Sequence, residues 1–152
     1  MKTLARQRCK EEILRRLRSV RSDSVRRWGQ MSAHQMICNL SDSFRIATGE
    51  KRASDASGRM QRTLVKWIAL YAPLRWPPGI PTRPEVDQQS GGTKPVDFAA
   101  DVAELEALLE LVATQEKGLD WPLHPIFGRM SQAAWLRWAY LHTDHHLRQF
   151  GA

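Results

Sequence analysis

This sequence predicts an all-α fold: a bundle of about five helices interrupted by one long proline-rich connection. Apolar residues recur at helical spacing in five segments, and no run of five or more residues alternates as a half-buried strand would. Ser32 followed by Gln35, with Gly49 further on, and Ser131 ahead of another apolar series mark helix ends by their chemistry. Nothing repeats at a fixed period, and 152 residues suit a single domain, 1–152, with one sizeable core.

The first helix is expected over 3–20, with Leu4, Cys9, Ile13, Leu14, Leu17 and Val20 as its stripe and arginines and lysines on its outer side. The second, over 32–49, has a capping box at Ser32 and Gln35 and buries Met36, Leu40, Phe44 and Ala47. A third over 58–71 carries Leu64, Trp67, Ile68 and Tyr71, reads as heavily buried, and is stopped by Pro73. Six of the eight prolines fall in 73–95, so regular structure is not expected there. A connection of that length inside a compact domain is a lid or a strap across the bundle. The fourth helix, over 97–114, sets Phe98, Val102, Leu105, Leu109 and Val112 inside and acidic residues outside, the counterpart to the first. After the loop LDWPLHPIFG, in which His124 beside Pro125 reads as a loop-fixing group, Ser131 caps the fifth helix, 131–149. Trp135 and Trp138 read as core residues at helical spacing rather than as substrate platforms.

Composition narrows the function classes. Charged residues are 26% and hydrophobic ones 42%, too apolar for disorder. The start MKTLARQRCKEEILRRL has no secretory core, and the longest apolar run, WIALYAPL, is too short to span a membrane, so a cytoplasmic protein without a membrane partner is expected. Cys9 and Cys38 are read as free thiols. The net charge of +7 is uneven: residues 1–62 hold 15 Lys and Arg against 6 Asp and Glu, whereas 63–152 hold 8 against 10. A basic first third raises nucleic-acid binding as a minor alternative, but without interleaved aromatics or a recognition-helix pattern.

The chemistry-bearing stretch is YLHTDHHLRQFG, residues 140–151, which holds three of the five histidines. Positions four apart share a helix face, so His142 and His146 point two imidazoles into one space, with Gln149 one turn on. Trp135, Trp138 and Ala139 lie on the same side, which places these histidines at the end of a bundle-facing stripe. There, two partly desolvated imidazoles need hydrogen-bond acceptors or a shared cation. A first-row divalent ion, zinc or nickel, is the natural candidate. Thr143 follows His142, so the zinc-peptidase pattern HExxH, with its catalytic Glu, is absent.

The segments WGQMSAHQMICNLSDSFRIATGE, SGGTKPVDF and HPIFGRMSQAAWLRWAYLHTDHHLRQFG resemble the DinB-like superfamily, in particular a bacterial branch known as a domain of unknown function. The most specific match is H-x-x-x-H-x-x-Q, here His142, His146 and Gln149, with Asp144 and His145 completing a DHH signature. The resemblance implies a four-helix bundle core with an additional helix, often homodimeric. In it three histidines hold a divalent metal, and relatives act as metal-dependent transferases or isomerases that use a low-molecular-weight thiol. Where the family places its first histidine, in a phrase that would read QMICHL, this chain has Asn39. A neutral amide oxygen is a poorer donor to zinc than imidazole. Asp42, one turn after Asn39, is a stand-in third ligand, whereas His34, five residues earlier, is turned about 140° away around the axis.

Two main functions are therefore expected. One is a metal-dependent enzyme, a thiol-using transferase or a hydrolase. It would have His142, His146 and Asn39 or Asp42 at the metal, and Gln149, Asp144 and His145 as groups that orient ligands or substrate. The other is a metal-free bundle, its third histidine lost, that binds a small molecule or acts as a dimeric interaction protein.

Overall fold

Helix ends in this protein are set by short-range hydrogen bonds that the side chains announce. The structure, a computed structural model, describes residues 1–114 and 120–152; Leu119, the first residue of the LDWPLHPIFG loop, lies outside the described residues. Its helices are α1 (Gln7–Leu17), α2 (Ala33–Thr48), α3 (Lys66–Tyr71), α4 (Phe98–Thr114) and α5 (Gln132–Gln149), with a π-helical turn, Gln61–Val65, leading into α3 and a 3-10 turn at Pro84–Val86. The described residues contain no strand, only an isolated bridge between His124 and Gly128. This is the all-α bundle that the sequence predicts.

The α2 capping box is complete: Ser32 Oγ accepts from the Gln35 amide, and Gln35 Oε1 accepts from the Ser32 amide. Gly49 ends the helix in the left-handed conformation at φ +83°. Ser131 caps α5 by accepting from the Ala134 amide. The first helix is shorter than its apolar stripe, because Leu4 and Val20 are buried from flanking turns, and the Leu4 amide donates to the Leu136 carbonyl of α5.

The core joins Ile13 and Leu17 of α1, Met36, Leu40 and Phe44 of α2, Leu105, Leu109 and Val112 of α4, and Trp135, Ala139 and Leu147 of α5. Among the described residues α2 and α4 make the most extensive helix pairing. Charge follows the same plan. Lys10 of α1 and Arg18 just after it reach Glu110 and Glu106 of α4, and Arg16 of α1 meets Asp144 of α5 at 2.7 Å, so part of the basic surface is paired within the bundle.

The third helix departs from expectation. Only Leu70 of α3 is buried, while Leu64, Trp67, Ile68 and Tyr71 are 54%, 59%, 42% and 45% exposed. Helical spacing defines an apolar face without saying what covers it. Here α3 is anchored to α5 through Leu70, whose carbonyl accepts from Arg137 Nε, and its outer face has no covering element among the described residues.

The proline-rich connection is tied across α2. Asn39 Nδ2 donates to the Val86 carbonyl at 2.6 Å, and the Asp42 carboxylate accepts from the Thr93 amide and hydroxyl at 2.8 and 2.6 Å. Val86 and Gln88 of the connection are themselves buried. The connection is thus a strap.

Candidate metal and ligand site

A cavity of about 800 Å³ opens between α2, α3, α5 and the strap. Trp135, Trp138, His142, His145 and His146 of α5 face it, joined by Asn39 of α2, Trp28 from the loop before α2, and Trp76 from the strap. The walls are mostly apolar, four tryptophans among them, with convergent nitrogen atoms, which is the usual makeup of a small-molecule pocket.

Hydrogen bonding determines which nitrogens face the cavity. Gln149 Nε2 donates to the Trp28 carbonyl at 2.9 Å, and a carbonyl can only accept, so the amide's oxygen is the end turned toward His146. That oxygen lies 3.0 Å from His146 Nδ1, which must therefore carry the proton. His146 Nε2 is left with a free lone pair, 3.2 Å from His142 Nε2. Two imidazole nitrogens on one tetrahedral first-row ion, at about 2.0–2.1 Å each, stand about 3.3–3.4 Å apart. The observed pair therefore fits a shared ion, and equally fits a direct N–H···N hydrogen bond.

Both histidines are held neutral. Burial pushes His146 down to about 4, against the Gln149 hydrogen bond, which raises it. Burial, reinforced by the neighbouring histidines, puts His142 well below the ordinary imidazole range. Neutral imidazole is the form that ligates metal. Trp138 stacks on His142 at 4.8 Å, interplanar angle 22°, and fixes the ring.

Of the other sequence-derived candidates, His145 lines the cavity between Trp28 and Trp76, its ring centroid 5.8 and 6.1 Å from theirs. Its Nδ1 is buried without a hydrogen-bond partner among the described residues. Asn39 lines the cavity too, but its Nδ2 is committed to Val86, which leaves the amide oxygen as its ligating atom. The structure does not bring Asp42 and Asp144 to the two imidazoles. Asp42 is fully buried beneath the strap, where both carboxylate oxygens are taken by Thr93, Arg45 at 3.0 Å and Lys51 at 2.8 Å. Asp144 turns toward α1, held by Arg16 and Arg148 at 2.7 and 2.9 Å. Neither residue lines the cavity.

His124 fixes its loop. Its Nδ1 accepts from the Ile126 and Phe127 amides, both at 3.1 Å, and burial pushes its pKa down to about 3. Trp135 and Trp138 are core residues that also wall the cavity. Sequence reasoning missed Trp28 and Trp76, which come from irregular segments that no periodicity marks. It also missed Gly29, where φ is +77° and an added Cβ would stand 2.7 Å from Gln149 Nε2, so glycine is what lets the amide reach the Trp28 carbonyl.

A sequence model of the family described as protein of unknown function, DUF1569, matches residues 8–152. The chain belongs to the DUF1569 family. No curated protein and no solved structure matches it. Within this DUF1569 chain the aromatic cavity and its paired imidazoles stand beside a second donor group, His34, Cys38 and Asp101, whose ligand atoms lie within 4.8 Å of one another. No described helix is long and apolar enough to cross a membrane.

Proposed function

We propose that this DUF1569 protein is a divalent-metal-dependent enzyme acting on a small molecule held in the aromatic cavity. His142 and His146 would be its principal ligands and the Asn39 amide oxygen a weak third. The observation that carries this reading is the chain from Trp28 through Gln149 to His146, which presents an unprotonated Nε2 3.2 Å from its counterpart on His142. An outer hydrogen-bond partner that fixes a histidine's tautomer is the usual support of a metal-ligating imidazole.

A bound divalent ion supplies Lewis acidity there. The protein's own residues would bind and orient: Trp28, Trp76 and Trp138 line the cavity with apolar rings, and His145 lines it between Trp28 and Trp76. The likeness to DinB-type proteins favours a low-molecular-weight thiol as co-substrate of a transferase, with a hydrolase as the nearest other reaction and a homodimer as the assembly.

One observation favours the metal-free small-molecule binder. The two Nε2 atoms satisfy each other when His142 donates, so the cavity needs no ion to be stable. Metal stoichiometry of tag-free, dialysed protein by inductively coupled plasma mass spectrometry decides between them. The proposal expects one bound zinc or nickel fewer per chain in His142→Ala and His146→Ala than in the native protein. Equal metal in all three would leave the metal-free binder.

A further inference from the structure

We infer that His34, Cys38 and Asp101 form a second divalent-metal site, of zinc type, that braces α2 against α4. His34 and Cys38 stand one turn apart on α2, and Asp101 faces them from the first turn of α4. All three ligand atoms lie within 4.8 Å of one another. None of the three residues lines the aromatic cavity: Cys38 and Asn39 are consecutive and so point about 100° apart around α2, one toward α4 and the other into the cavity.

The donor set is that of a zinc site, with one imidazole nitrogen, one thiol sulfur and one carboxylate oxygen. With metal–sulfur near 2.3 Å and metal–nitrogen or –oxygen near 2.0–2.1 Å, tetrahedral ligand atoms stand about 3.3–3.6 Å apart. Cys38 Sγ and Asp101 Oδ2 are already 3.7 Å apart. His34 Nε2 and Asp101 Oδ2, now a hydrogen bond at 2.5 Å, must separate by about 0.8 Å to reach ligand spacing, within reach of side-chain torsions. A thiolate and a carboxylate together cancel the charge of a divalent ion, which suits a half-buried position.

Supporting groups are in place. The Val96 amide donates to Asp101 Oδ2 at 3.3 Å, and Phe98 meets the His34 ring edge-on at 5.3 Å, holding its plane. The side chains of His34 and Asp101 are each 19% exposed, which gives an ion a path from solvent, while Cys38 is buried behind them. Three protein ligands leave a fourth position open toward that exposed side.

Cobalt(II) reads this site separately from the paired histidines of α5, because only a thiolate ligand produces a sulfur-to-cobalt charge-transfer band in the near ultraviolet. The full chain, purified without a tag and kept reduced, is titrated with cobalt and then with zinc. The inference expects a charge-transfer band that bleaches on zinc addition, persists in Cys9→Ser and in His142→Ala, where it saturates at one equivalent per chain, and is lost in Cys38→Ser. Asp101→Asn should weaken it, and zinc should raise the thermal midpoint of His142→Ala, in which the α5 pair is broken, but not that of a chain carrying both His142→Ala and Cys38→Ser. The absence of a band at saturating cobalt, or a band that survives Cys38→Ser, would overturn it, leaving the three residues as a hydrogen-bonded brace without metal.

Discussion

Gln149 Oε1 lies 3.0 Å from His146 Nδ1, and because the Gln149 amide is itself oriented by the Trp28 carbonyl, this one contact decides which His146 nitrogen faces the cavity. Gln149→Leu removes the acceptor while keeping most of the volume. Nickel or zinc affinity at the His142–His146 pair should then fall by roughly 10–100-fold, the usual cost of losing an outer partner of a ligand histidine. Isothermal titration of the variant beside the native chain measures it, and an unchanged affinity would separate Gln149 from the site.

Gly29→Ala tests the same relationship from the other side. The backbone at φ +77° costs a residue with a Cβ about 1–2 kcal/mol, and the new methyl would stand against Gln149 Nε2. Both lower stability and weaker metal binding are expected, read by urea unfolding and by titration. Loss of stability alone would mean that Gln149 keeps its place without the glycine.

Asp42 should behave as a structural residue. Its carboxylate is fully buried, and burial would raise its pKa, yet the Lys51 and Thr93 hydrogen bonds hold it below the usual range. Asp42→Ala leaves Arg45 and Lys51 without their shared partner and frees the strap at Thr93, for an expected loss of about 3–5 kcal/mol. In protein still folded at low temperature, metal affinity at the α5 histidines should stay near native, whereas a ligand role for Asp42 would abolish it.

His124 makes stability pH-dependent in a stated direction. Its folded pKa of about 3 lies below the ordinary 6.5, so the unfolded chain takes up a proton as pH falls through 6.5 while the folded chain does not until about 3. Its contribution is therefore constant above pH 6.5 and is lost between 6.5 and 3, with a slope of up to about 1.4 kcal/mol per pH unit. His124→Asn, whose side-chain oxygen can take over the two amide hydrogen bonds, should flatten the fall in urea midpoint between pH 7 and 4.5. An equally steep fall in the variant would assign it to other groups.

What the sequence determined by itself is what happens within about one helical turn. The caps at Ser32, Gly49 and Ser131, the meeting of His142, His146 and Gln149, and the loop-fixing role of His124 all rest on hydrogen bonds or side-chain pairs between near neighbours, whose geometry spacing alone dictates. The tertiary structure decided where each face went. Asn39 and Asp42 were legible as polar residues one turn apart on α2, but their partners, Val86 and Thr93, arrive from a connection more than forty residues away. His34 and Cys38 acquire their chemistry only because α4 sets Asp101 beside them, and Leu64, Trp67 and Tyr71 form an apolar face that no described element covers. Long-range pairing depends on how whole faces pack, and the periodicity of one segment carries no information about its neighbour.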